Sequence, residues 1–228
     1  MTSTKLENNR MSVAEIAKNL NDAGLPPEFG EDNSRFLIKM FRTLAQGGPV
    51  TQEMTAKAAR ESGISYEAAD QFLRQMTERD SNDNIIGLMG LSLNQDWAHR
   101  LTIGDRSFRT WCAWDTLFLP AILGEEVMVE SDSPVSGETV RLTVTPNEVL
   151  SVSPEGAVVS IATLDPEADG LPSVEAIWGN FCHQVFFFPS MEEASEWARG
   201  KSNIELVSVA EGFELGKLVL SELLGYAE

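Results

Sequence analysis

In Arg109-Thr-Trp-Cys-Ala-Trp-Asp-Thr-Leu-Phe-Leu-Pro-Ala-Ile-Leu-Gly124 a strand-like segment gives way to an apolar helical run that the final glycine closes. Cys112, one of two cysteines in the chain, falls at that junction between Trp111 and Trp114 and three residues ahead of Asp115. Backbone N–H groups and the positive end of a helix dipole favour a thiolate at such a place, lowering its pKa from a free value of about 8.5. Cys112 and Asp115, related as i and i+3 in a first turn, then share a face, and sulfur and acid can reach one ligand. Taken alone, Cys-x-x-Asp also reads as a buried, inert cysteine beside an Asp that caps a helix.

On the N-terminal side of this stretch, Ile85 to Leu93 and Ala98 to Phe108 read as strands joined near Asn94-Gln-Asp96, after the turn cluster Asp80-Ser-Asn-Asp-Asn84. On the other side, strands are expected from Glu125 to Val129, from Glu138 to Thr145 and from Gly156 to Ala162. Short consecutive strands linked by turns favour an antiparallel sheet over βαβ units, which makes the chain α+β. Asp165 to Pro172 is an acidic loop. Asn180-Phe-Cys-His-Gln-Val-Phe-Phe-Phe-Pro189 then brings Cys182, His183 and a run of aromatic residues that should be buried. Ser190-Met-Glu-Glu193 has capping-box spacing and opens a helix to Arg199 with Ala194 and Trp197 inward. A strand at Ile204 to Val209 and a helix from Glu211 to Leu224, with Phe213, Leu218, Leu220 and Leu223 toward the core, close the chain.

The first part is helical. Ser12 opens a short amphipathic segment to Asn21; Phe36, Leu37, Met40, Phe41 and Leu44 recur at helical spacing between Asn33 and Gln46; Thr51 and Ser65 cap two further helices around a turn at Ser62-Gly-Ile64. Two helices about a glycine turn, followed by strands, are the pattern of a winged helix, so residues 1–95 are expected as a winged-helix-like domain and residues 96–228 as the catalytic one. A DNA-binding regulator is the competing reading. Tyr66 to Arg79, the would-be recognition helix, argues against it, with Glu67, Asp70 and Glu78 against Arg74 and Arg79, where phosphate contacts need basic excess.

Charge points the same way. The 228 residues carry a formal net charge of −18, and residues 1–95 hold 10 Lys/Arg against 13 Asp/Glu, so most of the imbalance lies beyond them. Such a field repels nucleic acid and anionic lipid. The first ten residues lack a signal-peptide core, and no apolar run reaches the roughly 18 residues of a membrane span. A cytoplasmic location is expected, and there the two cysteines stay reduced.

Zinc is one use for Cys112, Asp115, Cys182 and His183, but structural zinc sites usually employ close cysteine pairs, and adjacent residues of a strand point opposite ways. A cysteine hydrolase would pair a thiolate with His99 or His183, with no supporting nucleophile motif around it. Two thiolates and one acid suit a soft cation of low coordination number, with a proton at hand for a departing ligand atom.

Trp111-Cys-Ala-Trp-Asp115-Thr-Leu with Pro120-Ala-Ile-Leu-Gly124, and Phe181-Cys182-His183 with Phe186-Phe187, resemble the two active-site segments of the bacterial organomercurial (alkylmercury) lyases. Asn84-Ile-Ile-Gly87, Leu142-Thr-Val-Thr-Pro146 and Leu206-Val-Ser-Val209 are similar to that family too, so the likeness extends from about residue 30 onward. The resemblance implies a winged-helix-like part followed by an antiparallel α+β catalytic part. It implies that Cys112 and Cys182 bind the mercury of R–Hg⁺, with Asp115 a possible further ligand. Asp115 would return to carbon a proton it first takes from a cysteine, in an apolar setting of Trp111, Trp114 and Phe181 that raises its pKa. No cofactor is implied; mercury is substrate and product, and Hg(II) leaves to small-molecule thiols or to a mercuric reductase. Many relatives carry a second cysteine where His183 stands, which makes His183 a neutral neighbour.

Overall fold

The computed structural model describes residues 10–165, 177 and 179–227. Four helices come first: α1 (Val13–Asp22), α2 (Glu31–Leu44), α3 (Gln52–Glu61) and α4 (Tyr66–Leu73). Three of them begin where a hydroxyl relieves orphan N–H groups, Ser12 accepting from Glu15, Thr51 from Met54 and Ser65 from Ala68. At Ser12 the box is reciprocal, since its own N–H donates to the Glu15 carboxylate at 2.7 Å. Phe36, Leu37, Met40, Phe41 and Leu44 of α2 are fully buried, the face expected from their spacing.

Eight strands follow in one sheet: β1 (Thr77–Arg79), β2 (Ile85–Leu88), β3 (Leu91–Ser92), β4 (His99–Ile103), β5 (Arg106–Thr110), β6 (Val127–Asp132), β7 (Thr139–Val144) and β8 (Val149–Ser153). Their order is β1-β2-β3-β5-β4-β6-β7-β8, with antiparallel pairing throughout. β3 pairs with β5, Leu91 opposite Thr110 and Ser92 opposite Arg109, so strands from before and after residue 95 share one sheet. Helix α5 (Asp115–Leu123) leaves the end of β5. A second antiparallel sheet, ordered β10-β9-β11, joins β9 (Val158–Ala162), β10 (Phe187–Phe188) and β11 (Ile204–Ser208). Against it lie α6 (Met191–Ala198) and α7 (Val209–Val219), while α8 (Ser221–Leu224) packs on α2, α5 and α7. The class is α+β, as the run of short strands implied. Among the described residues no helix is long and apolar enough to cross a membrane.

The elements depart from expectation in several places. Ile85 to Leu93 is not one strand but two, folded on a two-residue turn at Met89-Gly90. β8 was not expected because Val149-Leu-Ser-Val-Ser153 shows no strict apolar–polar alternation; only Val149 and Val152 are half-buried against the core. The closing helix is interrupted at Leu220, and Leu218, expected inside, is 48% exposed. Phe213, Leu220 and Leu223 are buried as expected, and glycines share the inner face with them. A Cβ on Gly212 would lie 2.9 Å from Leu117 Cδ1, and one on Gly216 2.9 Å from Phe118 Cβ, so α7 presses its backbone onto α5. Cys182 lies in a 3-10 turn, Cys182–Gln184, not in a strand. Apart from Asp165, the acidic loop expected at residues 165–172 lies outside the described residues.

Candidate active site

Past Thr110 the chain leaves the sheet, and its carbonyls lose their ladder partners. Buried hydroxyls replace them: Thr110 Oγ1 donates to the Cys112 carbonyl at 2.8 Å and Thr116 Oγ1 to the Ala113 carbonyl at 2.7 Å. Asp115 opens α5, and its Oδ2 accepts the Cys112 N–H at 2.8 Å, which folds sulfur and acid of the Cys-x-x-Asp segment toward each other. Trp114 anchors the turn by donating its indole N–H to the Gly212 carbonyl at 2.8 Å and by packing edge-on against Phe118 and Phe181.

The Cys182 turn is held in the same way. Fully buried Ser160 on β9 donates to the Gln184 carbonyl at 2.7 Å and accepts the Phe186 N–H at 2.9 Å. One backbone bond ties the two cysteine segments together, from the Ala113 N–H to the Val185 carbonyl at 3.2 Å. Replacing Ser160 by Ala strands two buried backbone groups and is expected to lower stability by about 1–3 kcal/mol, read from urea unfolding curves. An unchanged midpoint would show that other groups support this turn.

The cysteines, 70 positions apart in sequence, meet: the Cys112 thiol lies within hydrogen-bonding reach of both the Cys182 sulfur and the Asp115 carboxyl. All three residues are buried, at 0%, 4% and 6% exposure for Cys112, Cys182 and Asp115. Burial is the largest influence on Asp115 and Cys112. It pushes the Asp115 carboxyl up from 3.8 to about 7, against the Cys112 backbone N–H, the Cys112 thiol and the Trp111 N–H, which favour the charged form. Burial, the Cys182 sulfur and the nearby Asp115 charge push the Cys112 thiol well up. For Cys182 the hydrogen bond from Cys112 favours the thiolate, but burial and Asp115 outweigh it, and this pKa is raised too. The lowered thiol pKa expected at a helix start is therefore corrected: α5 begins only at Asp115, so Cys112 lies ahead of its first turn, the Cys112 N–H serves Asp115, and burial raises the thiol.

Above this cluster is a cavity of about 510 Å³. Asp115 and Cys182 line it, together with Trp111, Trp114, Phe118 and Phe181; Met76 and Met89 form another wall, and Leu25, Pro26 and Phe72 come from the helical part. Trp111 is fixed by its indole N–H on Glu78, whose carboxylate also accepts from Trp97 at 3.1 Å. Glu78, Met89, Gly90, Thr110 and Ser160 were not found by sequence reasoning, and only the Met-Gly pair inside a strand pattern hinted at a turn. His183 is exposed, and His99 is buried elsewhere with Nδ1 2.7 Å from Ser131 Oγ. His183, the fourth ligand of the zinc reading, is exposed while Cys112, Cys182 and Asp115 are buried, so the four do not share one site.

Two adjoining thiols and a protonatable acid under an apolar chamber define an α+β protein suited to a soft electrophile that carries an organic group. Comparison with known proteins agrees. The family model described as alkylmercury lyase matches residues 93–221. The alkylmercury lyase of Pseudomonas putida is 36% identical over 215 residues, 93% of this chain and 94% of that one. That of Bacillus cereus is 32% identical over 212 residues, 92% of each. In fold, the mercury-bound form of MerB2 superposes with a TM-score of 0.71 at 24% identity, covering 92% of this chain and 99% of that one. The chain belongs to the alkylmercury lyase family.

Proposed function

We propose that this protein cleaves the carbon–mercury bond of alkyl- and arylmercury compounds by protonolysis, as a step in mercury detoxification. The observation that carries the reading is the meeting of Cys112, Cys182 and Asp115, the last two lining an apolar cavity with Cys112 behind them, in a member of that family.

The residues act as follows. R–Hg–X enters with R against the aromatic wall. Both cysteine sulfurs take the metal; the Cys112 proton passes to the Asp115 carboxylate, and the Cys182 proton leaves with X as HX. Electron density from two thiolates weakens the carbon–mercury bond. Asp115 then protonates the carbon as the bonding pair moves into the new C–H bond, releasing R–H and leaving Hg(II) on the thiolates beside a carboxylate. A positioned acid of this kind contributes about 10²–10⁴-fold, and the pKa of about 7 lets Asp115 both accept and return a proton near neutrality.

The chain has no third cysteine, so Hg(II) is removed by external thiols, small or belonging to a mercuric reductase. No other cofactor is assigned. The reading places the enzyme in the cytoplasm, with residues 96–228 as the catalytic domain and residues 1–95 as the domain covering it. Phenylmercury incubated with the protein and excess thiol should release benzene stoichiometrically, measured by gas chromatography. Capture of mercury without benzene would leave a binding protein and defeat the proposal.

A further inference from the structure

The hairpin between β2 and β3 turns in two residues, Leu88 pairing directly with Leu91. Both turn residues have positive φ, +39° at Met89 and +99° at Gly90, the signature of a type I′ turn. A side chain as large as Met is uncommon in that region, and such strain persists only where surrounding structure holds it. The holding contacts are visible: the Met89 N–H donates to the Met76 carbonyl at 3.0 Å, and the Gly90 carbonyl accepts the Trp111 N–H at 3.0 Å. The turn is thereby pinned on the segment that carries Cys112.

What it presses against is the acid. A Cβ on Gly90 would lie 2.5 Å from Asp115 Cγ and 2.7 and 2.8 Å from its two oxygens. No side chain fits between this backbone and that carboxyl. We infer that the Met89-Gly90 turn positions Asp115, its bare glycine backbone backing the carboxyl so that Oδ2 stays on the Cys112 N–H and the acid stays over the sulfurs. The inference rests on the reaction proposed above, and Gly90 acts in it through Asp115, touching neither metal nor carbon.

Gly90→Ala tests it against Gly104→Ala. Gly104 also has positive φ, +58°, but a Cβ there meets nothing within 4 Å, so this variant reports backbone strain alone. Both are made in the wild type and in Met89→Asn, where Asn suits the first turn position and supports folding. Wild-type benzene release establishes the reaction independently of the inference. In Gly90→Ala, kcat should fall about 10²-fold, as a displaced reacting group implies. KM and stoichiometric phenylmercury capture, which depend on the sulfurs, should stay near the parent's values, and Gly104→Ala should keep the parent's kcat. A kcat in Gly90→Ala equal to that of Gly104→Ala overturns the inference, as does an equal loss of capture and turnover. Loss of cooperative unfolding in Gly90→Ala in both backgrounds, with Gly104→Ala still folded, assigns Gly90 to folding alone and overturns it as well.

Discussion

Asp115→Asn is expected to lower benzene release from phenylmercury by about 10³-fold or more, within the range a positioned acid supplies, while the protein still captures the organomercurial on its sulfurs. The same substitution should make the folded protein more stable in mild alkali. The Asp115 carboxyl is pushed up to about 7 in the folded state, whereas in the unfolded chain it ionises near its ordinary 3.8. Between those values the folded form holds a proton that the unfolded form has released. This contribution is therefore fully present below about pH 4 and is lost as pH rises through 7, on the order of 4 kcal/mol for a shift of this size. Asn carries no such penalty. Its melting temperature should exceed the wild type's by several degrees at pH 8, and the gap should close toward pH 4. His99, pushed down to about 4 by burial and then by Arg109, works in the opposite sense, its stabilisation above 6.5 being lost as pH falls; present in both proteins, it cancels. A variant that keeps full turnover removes Asp115 from the chemistry, and a gap independent of pH removes the buried charge as its cause.

Cys112→Ser and Cys182→Ser should each reduce cleavage to below about one-thousandth of wild type, because a hydroxyl is a hard donor and one thiolate does not activate the bond as two do. The two variants should nonetheless fail differently. Cys182 lines the cavity; Cys112 sits behind it with no exposed surface. Without Cys182 the first soft donor on the way in is gone, and phenylmercury capture in the presence of competing small thiol should drop sharply. Without Cys112 the protein should still capture on Cys182 and then stop. Mass spectrometry of the mercury adduct after buffer exchange checks this, and equal capture by both variants would contradict the order of access.

Much of the architecture could be read from local patterns. Helical spacing of Phe36 to Leu44, hydroxyl caps at Ser12, Thr51 and Ser65, and the strand-to-helix change near Cys112 are all written within a few residues of where they act. The cysteines stood out because the chain has only two, and Asp115 because it follows one of them by three residues. What escaped depends on distant neighbours. The Cys112 thiol looked activated from its place at a helix start, yet its pKa is set by complete burial and by Cys182, 70 positions away, which no local window contains. Ser160 and Thr110 are ordinary strand residues until the loops they support are folded onto them. Leu218 followed the apolar count rather than the glycine stripe that α7 turns inward.

The chamber over the cysteines draws its walls from far-apart pieces of chain, Gly24 to Pro27 and Ala68 to Met76 on one side, Trp111 to Phe118 and Phe181 on the other. Evolution thus has two independent handles on this molecule. Drift in the first pair of segments can retune which hydrocarbon tail is welcomed, while the sulfur grip and its acid, anchored in a different stretch of the gene, go on unaltered.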